Sequence, residues 1–167
     1  SAFLTLELLR EGLHAKKSVG KAESDIKQHC VFTAHTPVPA GHDRFDRGLM
    51  DTTFAAFASR MGVSMDQVMR YGRVNPDDAN ETFCMTVLAL KMSRSANGVS
   101  ELHGAVSREM WKSLYPGTPV AKINIGHVTN GVNTTGWTLP SAQEFWSSRL
   151  GPQWIDRVAD KKFWQVL

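Results

Sequence analysis

Cysteine and long apolar runs are scarce in this chain of 167 residues. The two cysteines, Cys30 and Cys84, sit among apolar neighbours. They read as buried thiols in a reducing compartment, with a bond between them left open. No stretch approaches the roughly 20 apolar residues of a membrane span, and no signal-peptide pattern is present, so no membrane contact is expected and the expected location is cytoplasmic. An excess of one charge is also lacking: 19 basic against 16 acidic residues give a net charge of +3. The basic residues are scattered, with no run longer than Lys16-Lys17 or Lys161-Lys162, which argues against nucleic acid while tolerating an anionic ligand. P-loop, GxGxxG, HExxH and Gly-x-Ser-x-Gly patterns are all missing. So are internal repeats and low-complexity linkers.

What the chain does contain is apolar surface in helical rhythm. Apolar residues make up 42% of it, enough for a sizeable core. Ala2, Phe3, Leu4, Leu6, Leu9 and Leu13 form one helical face from the first residues. No cap or polar lead-in precedes them, so Ser1 reads as a cut within or at the edge of an element. Gly12 and Gly20 are expected to weaken and then end this helix. A short amphipathic piece from Ala22 to His29 leads into Cys30-Val31-Phe32-Thr33-Ala34, which reads as a buried strand. Pro37, Pro39 and Gly41 then make His35 to His42 a stiff loop.

Further along, Phe54, Phe57 and Met61 share a helical face closed by Gly62. Ser64-Met65-Asp66-Gln67 matches a capping box, with Gly72 as the stop. Asn75-Pro76-Asp77-Asp78 offers a cap, an N1 proline and acids for a helix carrying Phe83, Val87 and Leu90 to about Arg94. Ser100 caps another, with Leu102, Val106, Met110 and Leu114 as its expected buried stripe and Pro116-Gly117 as its end. Lys122 to Val128 alternates as a strand before a tight turn at Thr129-Asn130-Gly131. Ser141 to Glu144 reads as a second capping box, and Gly151-Pro152 as the stop of its helix. The class is helix-rich α/β. Two strands do not make an independent open sheet, so the sheet is expected to be completed by residues outside this chain.

In open α/β sheets, ligands bind beyond the carboxyl ends of the strands, where the loops His35–His42 and Thr129–Trp137 are expected. An imidazole at His35 on a proline-stiffened loop can hydrogen-bond a ligand hydroxyl with little loss of entropy; it can also tie the loop to backbone carbonyls. His35 and His42 as metal ligands are a weak pattern without a supporting cluster. His103 falls just inside a helix, facing a ligand or satisfied in the fold. Cys84, on an apolar helix face without an electropositive neighbourhood, is a poor nucleophile. Met61, Met65, Met69, Met85, Met92 and Met110 read as core filler. Trp111, Trp137, Trp146, Trp154 and Trp164 read as large buried aromatics ahead of sugar-stacking platforms.

Three longer motifs go further. Thr33-Ala34-His35-Thr36-Pro37-Val38-Pro39-Ala40-Gly41-His42-Asp43-Arg44-Phe45, Ala96 through Trp111 (ANGVSELHGAVSREMW), and His127-Val128-Thr129-Asn130-Gly131-Val132 stand in order. Together they resemble the bacterial short-type α-glucan phosphorylases, and the likeness runs to about Trp154. Ser1-Ala2-Phe3-Leu4-Thr5-Leu6-Glu7 resembles the helix that follows a Glu-Gly-His segment in that family. The resemblance implies two facing Rossmann-like domains of GT-B type, with this chain in the later, helix-rich part of the N-terminal domain and the second domain missing. It implies phosphorolysis of α-1,4-glucans to glucose 1-phosphate, with inorganic phosphate as co-substrate and pyridoxal phosphate as cofactor.

By position, His35 matches the family histidine that contacts the glucosyl unit, and Thr36 lines the same pocket. No catalytic or cofactor-binding residue and no metal ligand is carried over, because the cofactor lysine and the phosphate-binding cluster lie in the other domain. A homo-oligomer is a possible assembly. Ala34, Asn133 and Gly136 depart from the family pattern, where threonine, histidine and threonine are usual. The isolated chain is expected to be inactive. A non-catalytic carbohydrate-binding or scaffold protein is the alternative reading, with a metal-dependent hydrolase a weaker third.

Overall fold

Helix α1 (Phe3–His14) turns back into α2 (Val19–His29), and the two pack closely. The computed structural model describes residues 2–166; Ser1, read above as a cut end, lies outside the described residues. A Cβ on Gly12 would sit 2.8 Å from that of Ala22, so Gly12 is a helix contact rather than a breaker. Gly20 does not end α1 either. It lies inside α2, which starts earlier than expected because the Ser18 hydroxyl accepts from the Lys21 amide.

The described residues divide into two units after Thr129. In the first, strand β1 (Val31–Ala34) leads into a 3-10 turn at Pro39–Gly41. Short β2 (Arg44–Phe45) precedes α3 (Arg47–Met61), which Gly62 closes at φ +72°. Helix α4 (Met65–Gly72) carries the expected capping box, with both reciprocal bonds made. The helix expected to start at Asn75-Pro76-Asp77-Asp78 does not form. The Asn75 and Asp78 side chains instead accept from the amides of Asp77 and Asn80, and the Glu81 carboxylate accepts from Val74 and Asn75. Asn and Asp side chains compete with helical bonding in this way.

Cys84 accordingly lies in strand β3 (Phe83–Cys84), not on a helix face, and α5 (Met85–Lys91) begins just after it. β2 and β3 pair antiparallel. Ser95–Gly98 forms β4, a strand that its small, polar composition hides from a pattern of apolar alternation. Helix α6 (Glu101–Met110) follows its Ser100 cap, but Leu102 is 74% exposed, outside the stripe expected of it. β5 (Ile125–His127) is shorter than the expected strand.

β1, β4 and β5 form a parallel sheet in the order β1-β4-β5. Among the described residues the sheet therefore has three strands, not the two expected, which reaches the number a sheet needs without strands from outside. Because β5 pairs in parallel, no hairpin is called for after it, and Thr129-Asn130-Gly131 is irregular rather than a tight turn.

One core lies among α1 to α5 around fully buried Leu6, Met50, Met69 and Phe83, where Phe3 meets Phe54 at a tilt (4.6 Å) and stacks on Phe83 (5.8 Å). Burying side chains of this size contributes about 1.5–3 kcal/mol each. A second core joins the sheet to α5 and α6 through Val87, Leu90, Ala96, Trp111 and Ile125. Met61, Met69 and Met92 are buried. Cys84 is buried, Cys30 half-buried, and both thiols are free.

The second unit holds α7 (Thr134–Trp137), α8 (Pro140–Leu150) and 3-10 turns at Pro152–Arg157 and Phe163–Val166. The capping box expected at Ser141 is absent. Pro140 opens α8, and the Gln143 amide reaches back to the carbonyls of Thr135 and Thr138. Gly151, at φ +84°, ends the helix as expected. Trp154 is buried, Trp146 and Trp164 meet edge to face at 5.7 Å, and Trp137 is exposed.

Candidate functional site

The three parallel strands end in register. Ala34 pairs with Gly98, and Gly98 with His127. The chain therefore leaves the sheet at one edge through His35, Val99 and Val128. The Val128 amide donates to the Gly98 carbonyl at 2.9 Å, and Thr33 Oγ1 donates to Asn97 Oδ1 at 3.1 Å, fixing that edge from both sides of β4.

His35 is exposed at this edge. Its ring is tied to no carbonyl among the described residues, so the loop-tether role considered for it is not the one adopted. Thr36 is half-buried. Its methyl lies over Gly41: a Cβ on Gly41 would fall 2.0 Å from Thr36 Cγ2. The glycine is thus required by a close approach that folds the loop back on itself. His127 is also exposed at the edge. The motif reading placed no role on it; only strand register puts it beside the end of β4.

His42, at the far end of the loop, turns inward. It is 8% exposed, its Nδ1 lies 2.8 Å from Thr86 Oγ1, and its ring meets Trp111 edge on at 5.0 Å. Burial, above all, pushes its pKa below the ordinary histidine value; Arg44 and His103 add to this and Asp43 opposes it. His35 and His42 thus occupy different environments, and among the described residues no group of three metal-binding side chains occurs.

His103 is buried too. Its amide donates to Ser100 Oγ at 3.1 Å, and its Nδ1 accepts from the Val99 amide at 3.3 Å. A neutral His103 ring therefore carries its proton on Nε2. The Nε2 atoms of His42 and His103 meet no hydrogen-bond partner among the described residues. Both rings are buried rather than facing outward. Glycines let α6 approach: a Cβ on Gly98 would lie 2.7 Å from the Gly104 amide nitrogen, and one on Gly104 2.7 Å from the Gly126 carbonyl oxygen.

In the second unit, Asn133 and Gly136 form a local pair. Asn133 Oδ1 accepts from the Gly136 amide at 2.9 Å, and a Cβ on Gly136 would lie 2.7 Å from Asn133 Nδ2. The two residues belong to one helix cap.

Strand order and this edge define a helix-rich α/β protein built on a small parallel sheet. No protein-family model matches the chain. Along its whole length it is 33% identical to 20% of the glycogen phosphorylase of Mycobacterium tuberculosis. It is 32% identical, over 84% of its length, to 18% of the maltodextrin phosphorylase of Thermococcus litoralis. It is 26% identical, over 96% of its length, to 22% of the glycogen phosphorylase of Aquifex aeolicus. The chain belongs by sequence with the glycogen and maltodextrin phosphorylases, and it spans about a fifth of the length of these relatives.

Proposed function

We propose that the chain is part of a cytoplasmic α-1,4-glucan phosphorylase and contributes the loop that contacts the glucosyl unit at the cleavage point. One observation carries the reading: an exposed imidazole, His35, stands at the carboxyl edge of a parallel sheet on a loop braced by Thr36 against Gly41 and by His42 in the core. In the parent, inorganic phosphate attacks the anomeric carbon at the non-reducing end and glucose 1-phosphate leaves with retained configuration. His35 hydrogen-bonds a sugar hydroxyl and holds the ring as positive charge develops at that carbon. Thr36 lines the same pocket. The chain forms part of one Rossmann-like domain of a GT-B pair, and the facing domain supplies the groups that handle phosphate.

Pyridoxal phosphate, when bound in such an enzyme, supplies proton transfer through its own phosphate group. The residues of this chain do not fit it. Lys91, the half-buried lysine, donates to the carbonyls of Arg70 and Arg73, and every other lysine is exposed.

The test incubates the chain with maltoheptaose, phosphate and pyridoxal phosphate, then measures glucan affinity for wild type and His35→Ala. The expected result is no glucose 1-phosphate and an affinity that falls at least tenfold in the variant. Product formation by the chain alone would overturn its assignment as an incomplete site. Equal affinity in both proteins would overturn the role of His35.

A further inference from the structure

At the edge of the sheet opposite His35, the amino-terminal ends of β4 and β5 border a cavity of about 280 Å3. Lys27, Lys91 and Arg94 line it, with the hydroxyls of Ser93, Ser95 and Tyr115; no carboxylate does, among the described residues. Lys27 and Lys91 stand in the last turns of α2 and α5, where a cation complements the helix dipole. That accounts for Lys91, whose ammonium donates to carbonyls at the end of α4. It leaves the rest unexplained. The Lys27 ammonium, the Arg94 guanidinium and the Tyr115 hydroxyl have no hydrogen-bond or ion-pair partner among the described residues.

The cavity wall is also fixed in advance. The Arg94 amide donates to the Cys30 carbonyl at 3.0 Å, and its own carbonyl accepts from Asn124 Nδ2 at 2.8 Å. The root of the Arg94 side chain is thereby pinned between β1 and β5. Burial above all holds the pKa of Lys91 below the ordinary lysine value; Glu81 opposes this, and Arg70 and Lys27 add smaller effects in the same direction as burial.

We propose that this cavity binds phosphate or a phosphomonoester, held by Lys27 and Arg94 with Tyr115 and the serine hydroxyls as further donors. Two unpaired cations match a dianion, and the planar guanidinium suits two oxygens of a tetrahedral group. The volume, at the small end for ligand pockets, fits a single phosphate or a short ester rather than a glucan chain. The site lies across the sheet from His35 and stands apart from the glucan reading.

The test is an amide NMR titration of the whole chain with inorganic phosphate, glycerol 3-phosphate and, at matched ionic strength, sodium chloride. Saturable shifts in residues 93–96 and at Tyr115 with a phosphate ligand, absent with chloride, are expected. Whichever phosphate ligand saturates first identifies the source. Lys27→Gln and Arg94→Gln each weaken binding about tenfold; both side chains are exposed, and unmoved shifts elsewhere check the fold. His35→Ala leaves the titration unchanged, which separates this site from the glucan one. Shifts that never saturate, that chloride reproduces, or that persist in the double variant overturn the proposal; the chloride comparison decides on wild type alone.

Discussion

Nδ1 of His42 stands 2.8 Å from Oγ1 of Thr86, so the loop that begins with an exposed imidazole ends with a buried one anchored on α5. The two histidines divide the loop's work. One faces outward at the sheet edge, and the other ties the far end of the loop to α5.

The first prediction concerns that anchor. Thr86→Val removes the hydroxyl and leaves His42 Nδ1 buried without its partner. Stranding such a group costs about 1–3 kcal/mol. His42→Ala also removes the ring from Trp111 and is expected to cost about 2 kcal/mol or more. Urea denaturation with an unchanged slope checks both. A His42→Ala protein as stable as wild type would show that the anchor contributes nothing.

The pH dependence has two separate windows. Burial lowers the folded pKa of His42, while the unfolded ring titrates near 6.5, at about the ordinary value. Below about pH 6.5 the unfolded chain therefore binds a proton that the folded chain resists. The His42 contribution is complete above that pH and is lost as pH falls through the folded value. Asp25 acts lower. Hydrogen bonds from Lys17 and Lys21 hold its carboxyl at about 2, so its contribution is complete above the ordinary aspartate value of 3.8 and disappears as pH approaches 2. Denaturation midpoints between pH 7.5 and 2 should decline in both windows. His42→Gln flattens the upper decline and Asp25→Asn the lower one.

Much of this arrangement could be read from the residues, and what could not has physical causes. Caps were legible where one side chain and one amide suffice: Ser64 with Gln67, Ser100 with His103, Gly62 and Gly151 at their helix ends. β4 was not, because Ser95-Ala96-Asn97-Gly98 lacks apolar alternation and owes its pairing to neighbours on both sides. The false helix start at Asn75 obeyed local rules that Glu81 overrode from outside that four-residue signal. The position of His35 follows from the strand that precedes it, and a histidine satisfied in the fold was among the readings of His103, but the burial of His42 was not legible, since its ring orientation depends on Thr86 and Trp111, which are set by tertiary packing.

α6 offers a third prediction. Gly104→Ala would place a methyl 2.7 Å from the Gly126 carbonyl oxygen. That neighbour is backbone of β5 itself and has little room to yield, so the helix must lift. A loss of about 1–3 kcal/mol, in the range of overpacked cores, is expected. Faster amide exchange at Val128, whose N–H bonds to Gly98, should accompany it. Unchanged exchange there would separate the stability loss from any movement of the sheet edge.

The loop itself gives the most discriminating case. Gly41→Ala brings a methyl to within 2.0 Å of Thr36 Cγ2 and 3.0 Å of its Cβ, an overlap that the loop can relieve only by opening. Thr36→Ser removes the nearer atom and keeps the hydroxyl. Gly41→Ala alone should therefore destabilise the chain by about 2 kcal/mol and raise amide exchange across residues 36–42. Thr36→Ser alone should do little, and the double variant should recover most of the loss. Such recovery is a coupling energy, which a double-mutant cycle isolates. If the proposed role of His35 holds, glucan affinity follows the same order as loop exchange across the four proteins. Recovery of stability without recovery of affinity would mean that the Thr36 methyl, and not only the closed loop, faces the sugar.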